Sequence, residues 1–280
     1  MSREVLIWYR RAARKDPNAV PRPQVDDACY NPPNPEKETL LNYIDRPPKL
    51  RKLRLQKVTC LDHSMQGSSS DARSSIDHHP PNPQRTRVFR ASAQWETSPH
   101  DRLVVLKILP AADPTSTDIY AYDQFEHEAA CYARLRKAGL CDAGYVPHCY
   151  GWYQFPSSWA TQPSFAPLAA HPRMADVVES KTPPRAILIE YLRDASPVSP
   201  WNITVDIAHE ALRRLTEIHS IGILHSDVFP RNLLITGRGL PVWIDFGVSS
   251  ITPVDYQVRR DTQADEYDTL RFTDWTRPDT

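Results

Sequence analysis

The apolar positions of the chain change period several times, and each change predicts an element. Leu50 to Leu61 alternates, through Leu53, Leu55 and Val58, well enough for a strand. Arg87 to Ala91 and Leu103 to Leu109 predict two more, the second β-branched and apolar apart from Lys107, as in a strand buried on both faces. A period of three to four then sets in. Tyr122, Phe125, Ala129, Tyr132 and Leu135 predict a helix over Asp123 to Lys137. At about 100° per residue, Glu128 falls within roughly 50° of the centre of that stripe and Glu126 roughly 110° away. A carboxylate on the inward face requires a partner. Tyr150 to Phe155 and Ala186 to Leu192 read as strands, and Ile207, Ala211, Leu212, Leu215 and Ile218 mark a helix over Asp206 to Ser220 with Thr204 as its N-cap. Segments without period separate these elements: a proline-punctuated leader (Asp16 to Pro48), a Ser/Asp/His/Pro tract (Ser64 to Pro83) and a Pro/Ser-rich insertion (Pro156 to Pro184). The expected organisation is an α+β chain: an N-terminal extension over 1–50, a β-rich lobe over 51–192 with insertions near 64–83 and 156–184, and a helical lobe over 193–280.

Composition narrows the function classes. The 280 residues hold 8 glycines and 27 prolines, where average usage would give about 20 and about 14. Only Gly67 precedes Gly139, which excludes a glycine-rich phosphate cradle of the usual kind in the first half. Acidic and basic residues number 34 each, so bulk electrostatic capture of nucleic acid or an anionic membrane is not expected. With mean hydropathy of -0.53 and no long apolar run, no transmembrane helix is expected. The five scattered cysteines do not make a disulfide framework, and reduced thiols in a cytoplasmic or nuclear protein are the expectation. Cys141, His148 and Cys149 lack the paired spacing of a zinc site. Met1 to Lys15 reads as a surface helix, with an arginine-rich presequence as the alternative.

The candidate chemistry lies after the second helix. His225-Ser226-Asp227-Val228-Phe229-Pro230-Arg231-Asn232 is followed by a short hairpin and then by Asp245-Phe246-Gly247, 18 residues beyond Asp227. In order and spacing the segment resembles the protein-kinase superfamily, whose catalytic loop reads H-R-D-x-x-x-x-N and whose metal loop reads D-F-G. The resemblance implies a bilobal kinase-like fold and two cofactors, ATP and Mg²⁺. Phosphoryl transfer is largely a problem of positioning charge, and hard magnesium takes oxygen ligands. On that likeness Asn232 and Asp245 hold the metal, and Asp227 accepts or orients the proton of the attacking hydroxyl. Lys107, in Val104-Val105-Leu106-Lys107, pairs with the α/β-phosphates, and Glu128 is its ion-pair partner. Glu190-Tyr191-Leu192 looks like the hinge whose backbone receives an adenine, with Ile189 as gatekeeper. Arg231, two positions after Phe229, either substitutes for the basic residue that meets the transferred phosphate or pairs with a surface acid, and His225 packs beneath the metal loop.

Departures from the pattern bear on the activity. No G-x-G-x-x-G precedes Val88, so Arg85 or Arg87 is expected to contribute charge instead. Ser226 replaces the arginine that reads activation-loop phosphorylation, and Phe229 stands at a frequent lysine position. After Gly247 come 33 residues without A-P-E, among which Asp265 is a candidate anchor for the catalytic loop. The His-Ser-Asp loop is nearer the H-G-D of small-molecule kinases. The resulting expectation is an ATP- and Mg²⁺-dependent phosphotransferase, nominally a serine/threonine protein kinase. A small-molecule alcohol kinase and a pseudokinase scaffold are the alternatives. The expected partners are ATP and a protein or small-molecule hydroxyl acceptor, with no nucleic acid, no membrane and a monomeric chain.

Overall fold

The computed structural model describes residues 46–61, 86–109, 123–180 and 182–251. Most of the leader, the tract from Ser64 to Pro83, Arg85 and Asp265 lie outside the described residues. Strands β1 (Arg54–Cys60), β2 (Arg87–Trp95) and β3 (Ser98–Leu109) form an antiparallel meander. Helix α1 (Gln124–Lys137) and strand β4 (Cys149–Gln154) follow, then short turns of helix that include α2 (Ala166–Ala169) and α3 (Ala175–Glu179), and then β5 (Arg185–Glu190). These strands build one sheet in the order β1-β2-β3-β5-β4. Next come β6 (Ser196–Pro197), helix α4 (Val205–Ser220), β7 (Ile223–Leu224), β8 (Leu233–Ile235), β9 (Pro241–Trp243) and β10 (Ser250–Ile251). Strands β6, β8 and β9 form a small sheet, and β7 pairs with β10. The chain is an α+β protein.

Central strand β3 explains why the sheet is covered on both sides. Val104, Leu106 and Ile108 point to one face and Lys107 and Leu109 to the other, and all five are buried. The first face packs beneath the residues between β4 and β5, where Trp159, Phe165, Leu168, Met174 and Val177 are buried against it. The proline-rich insertion is therefore a folded cap. Arg87 belongs to this side: its guanidinium is buried, pairs with the Asp176 carboxylate and donates to the Arg173 carbonyl at 2.7 Å. The charge expected from Arg87 at the phosphates is thus corrected, because strand alternation turns it away from Lys107 and into the cap. Phe165→Ala should lower unfolding free energy by about 3–5 kcal/mol, the cost of emptying a buried aromatic site. Urea titration checks this, and a change below about 1 kcal/mol would show that the cap contributes little.

The second face packs against α1, α4 and the β8–β9 hairpin in a separate apolar cluster. Asp123 caps α1 by accepting from Phe125 N at 3.0 Å and Glu126 N at 3.3 Å. Arg185 ties that cap to β5, donating to both Asp123 oxygens at 2.8 Å and to Glu126 Oε1 at 3.0 Å. Thr204 accepts from Ile207 N at 3.2 Å and so caps α4, whose apolar face receives Trp243, and the indole of Trp243 donates to Ala211 O at 3.0 Å.

At the outer edge of β4 the chain from Pro48 to Leu50 runs alongside Trp152. Trp152 N donates to Pro48 O at 3.0 Å and Leu50 N to Trp152 O at 2.7 Å. Gly151 makes this approach possible: at φ 148° a Cβ there would lie 2.3 Å from Pro48 O. Cys131, Cys141 and Cys149 are free thiols, and no helix among the described residues is long and apolar enough to cross a membrane.

Candidate active site

Lys107 is where strand, helix and loop meet. Its Nζ donates to Glu128 Oε1 at 2.6 Å and to Asp245 Oδ1 at 2.7 Å. Glu128 comes from the inward face of α1 and is wholly buried, whereas the Asp245 side chain is half exposed. Burial alone would pull the lysine pKa down, but the two facing carboxylates outweigh it and hold Lys107 above its ordinary value. Lys107 in turn holds the Asp245 carboxyl below the usual carboxylate range, against the effect of burial. For Glu128 burial is the larger effect and pushes its carboxyl up, with Lys107 opposing and Asp245 adding to the rise. One ammonium thus faces two carboxylates, one wholly buried and one half exposed.

The two loops are held by their own contacts. Asp245 and Ser226 both adopt left-handed backbone, at φ 67° and 63°, a sparsely populated conformation that clusters at functional sites. Phe246 is buried, with its ring centre 4.7 Å from that of His225 and 5.7 Å from that of Tyr132 on α1. The His225 ring also meets Ile244 O at 3.0 Å, and Ser249 Oγ donates to His225 O at 2.9 Å. Gly247 lies close by: a Cβ there would sit 3.3 Å from Asp245 Oδ1.

Asp227 and Asn232 form a clasp one turn apart. Asn232 Nδ2 donates to Asp227 Oδ2 at 2.6 Å and to Asp227 O at 2.8 Å, which leaves the amide oxygen of Asn232 as its free acceptor. Arg231 donates to Asp227 Oδ1 at 2.5 Å, while its largely exposed guanidinium lies over the Phe229 ring at 4.5 Å. Of the hinge residues, Glu190 turns its carboxylate away from Lys107 to accept from His148 N at 3.2 Å. Its backbone N–H donates to His148 O at 2.8 Å, and Leu192 O accepts from Ala195 N at 3.4 Å. Ile189 is buried on the Lys107 face, opposite Val105.

The donor set suits a magnesium ion that shares its ligands with phosphates. Asp245 Oδ2 and the Asn232 amide oxygen are both hard oxygens free of other hydrogen bonds, the kind of ligand a magnesium ion takes. Among the described residues no group of three or more His, Cys, Asp or Glu side chains makes a metal cage of its own. Arg90 was missed by sequence reading. It pairs across the sheet with Val105 and so shares the Lys107 face; strand parity was the available signal, since it differs from Arg87 by an odd number of residues.

No family model matches the chain. It is 32% identical over 71 aligned residues to a serine/threonine-protein kinase, drp72, of Corynebacterium efficiens. That stretch makes up 22% of this chain and 14% of that relative. The likeness is a partial one to a protein named as a kinase.

Proposed function

We propose that the chain is an ATP- and Mg²⁺-dependent phosphotransferase of bilobal, kinase-like fold that transfers a γ-phosphoryl group to a hydroxyl. The observation that carries this reading is the junction at Lys107, where one ammonium bridges Glu128 on a helix and Asp245 on a loop beside the Asp227–Asn232 clasp. Bound Mg²⁺ would neutralise the phosphate charge that develops during transfer. Asp245 and Asn232 would hold it through their free oxygens. Lys107 neutralises the α/β-phosphates, and Glu128 fixes the direction of its ammonium. Asp227, steered by Asn232, takes the proton of the attacking hydroxyl, and Arg231 is close enough to stabilise charge on the group in transit. The backbone of Glu190 and Leu192 receives the base.

The partial likeness to a named serine/threonine kinase supports a protein hydroxyl as the acceptor. The His-Ser-Asp sequence of the catalytic loop favours the second reading, a small alcohol. Turnover across protein and small-alcohol acceptors separates the two.

Nucleotide binding is tested by thermal shift. With MgATP at ten times its Kd, the wild-type protein should gain about 1.4 kcal/mol and melt a few degrees higher. Asp245→Ala should gain nothing, because the variant keeps the Lys107–Glu128 pair but loses the metal oxygen. Absence of any wild-type shift at millimolar MgATP would favour a scaffold that does not use nucleotide.

A further inference from the structure

The face of the sheet that carries Lys107 is organised in rows, because residues directly opposite across antiparallel strands share a face. One row runs Val88, Lys107, Ile187 and Trp152. The next row on that face runs Thr59, Arg90, Val105 and Ile189. It lies two residues along the strands, a translation of about 6.6 Å, towards Glu190, which pairs with Val104. Arg90 is half-buried there, and its guanidinium carbon is 5.7 Å from the centre of the Tyr191 ring.

Under the nucleotide reading proposed above, on which this inference rests, the phosphates lie at Lys107 and the base points to the hinge. The base end then passes beneath the row that holds Arg90. A guanidinium plane stacks on flat π systems and its charge is weakly hydrated; at 5.7 Å Arg90 lies within cation–π range of the Tyr191 ring. Val105, partly exposed, provides the apolar surface beside it, backed by Ile189 in the core. We propose that Arg90, braced against Tyr191, covers the nucleobase and is a positioning and specificity-determining residue of the nucleotide site. Stacking uses the face of a base and not its edge, so Arg90 favours nucleotides over bare polyphosphate without separating adenine from guanine. Choice between purines is left to the hinge backbone.

Isothermal titration of the full chain with MgATP, MgGTP and Mg-tripolyphosphate tests this. Arg90→Ala should weaken both nucleotides about tenfold and leave tripolyphosphate unchanged. Arg90→Lys keeps the charge without the plane and should fail to restore nucleotide affinity. Unchanged nucleotide affinity in Arg90→Ala overturns the proposal, as does an equal loss for tripolyphosphate or full recovery by lysine. If the wild-type chain binds none of the three ligands, the nucleotide reading falls together with this one. Binding by the wild type with no effect of Arg90 overturns the Arg90 role alone.

Discussion

Asp227→Asn should lower kcat by about 10²–10⁴-fold while the affinity for MgATP stays nearly constant. The substitution keeps the size of the side chain: the amide oxygen can still accept from Asn232 Nδ2, while the amide nitrogen replaces the oxygen that accepts from the exposed Arg231, so that outer contact is given up. It removes the one capacity assigned to Asp227, that of taking a proton from a hydroxyl at the start of transfer. Loss in kcat without loss in binding marks a group used in the transition state. The measurement is ATP turnover with the acceptor that supports wild-type activity, set beside a binding titration of both proteins. Equal turnover would remove Asp227 from its role. A parallel loss of binding would make it a positioning residue for Asn232.

Lys107→Met should lose nucleotide binding and also cost about 3–5 kcal/mol of stability, because Glu128 is left as an uncompensated carboxylate in a dry site. The pH dependence has a definite sign. Burial already pushes the Glu128 carboxyl up, and without Lys107 only the backbone hydrogen bond from Phe246 opposes the rise. A carboxyl whose folded pKa exceeds its unfolded value binds more protons when folded, so stability falls as pH rises from the ordinary glutamate value through the folded one. Lys107→Met should therefore be more stable at pH 5 than at pH 7.5. Lys107→Met combined with Glu128→Leu should recover much of the stability and none of the nucleotide binding. Urea titrations at the two pH values and a binding titration check each part. A flat pH response in the single variant would place the Glu128 charge in contact with solvent.

The elements with a clear period were legible in the sequence. Helix α1 was readable from Phe125, Ala129, Tyr132 and Leu135, and the same stripe placed Glu128 inward. Thr204 was readable as a cap because a hydroxyl before an apolar period can satisfy a free helical N–H. The cap over the sheet was not readable as a folded layer. Its turns are too short to develop a period, and Pro163 and Pro172 each start one while Pro167 is second in another, so prolines that suggest a loop act as first-turn residues. The apolar residues Trp159, Phe165, Leu168 and Met174 among them were the remaining signal. Arginine placement on β2 failed for a different reason. Alternation shows that Arg87 and Arg90 face opposite ways, but only the pairing of Val88 with Lys107 shows which of them joins the lysine.

The short pairing of Pro48 to Leu50 with Trp152 bears on how the chain should be shortened for study. β4 is an outer strand of the sheet, and that pairing covers part of its backbone. A version begun at Arg54 would keep every strand of the sheet and every residue of the candidate site. It would also bare the N–H and C=O of Trp152 on an edge that runs Cys149-Tyr150-Gly151-Trp152-Tyr153, a template on which a second molecule can add a strand. Clumping of such a version would report the uncovered edge together with the loss of the buried Leu50 and Leu53, with the chemistry of the candidate site unaffected.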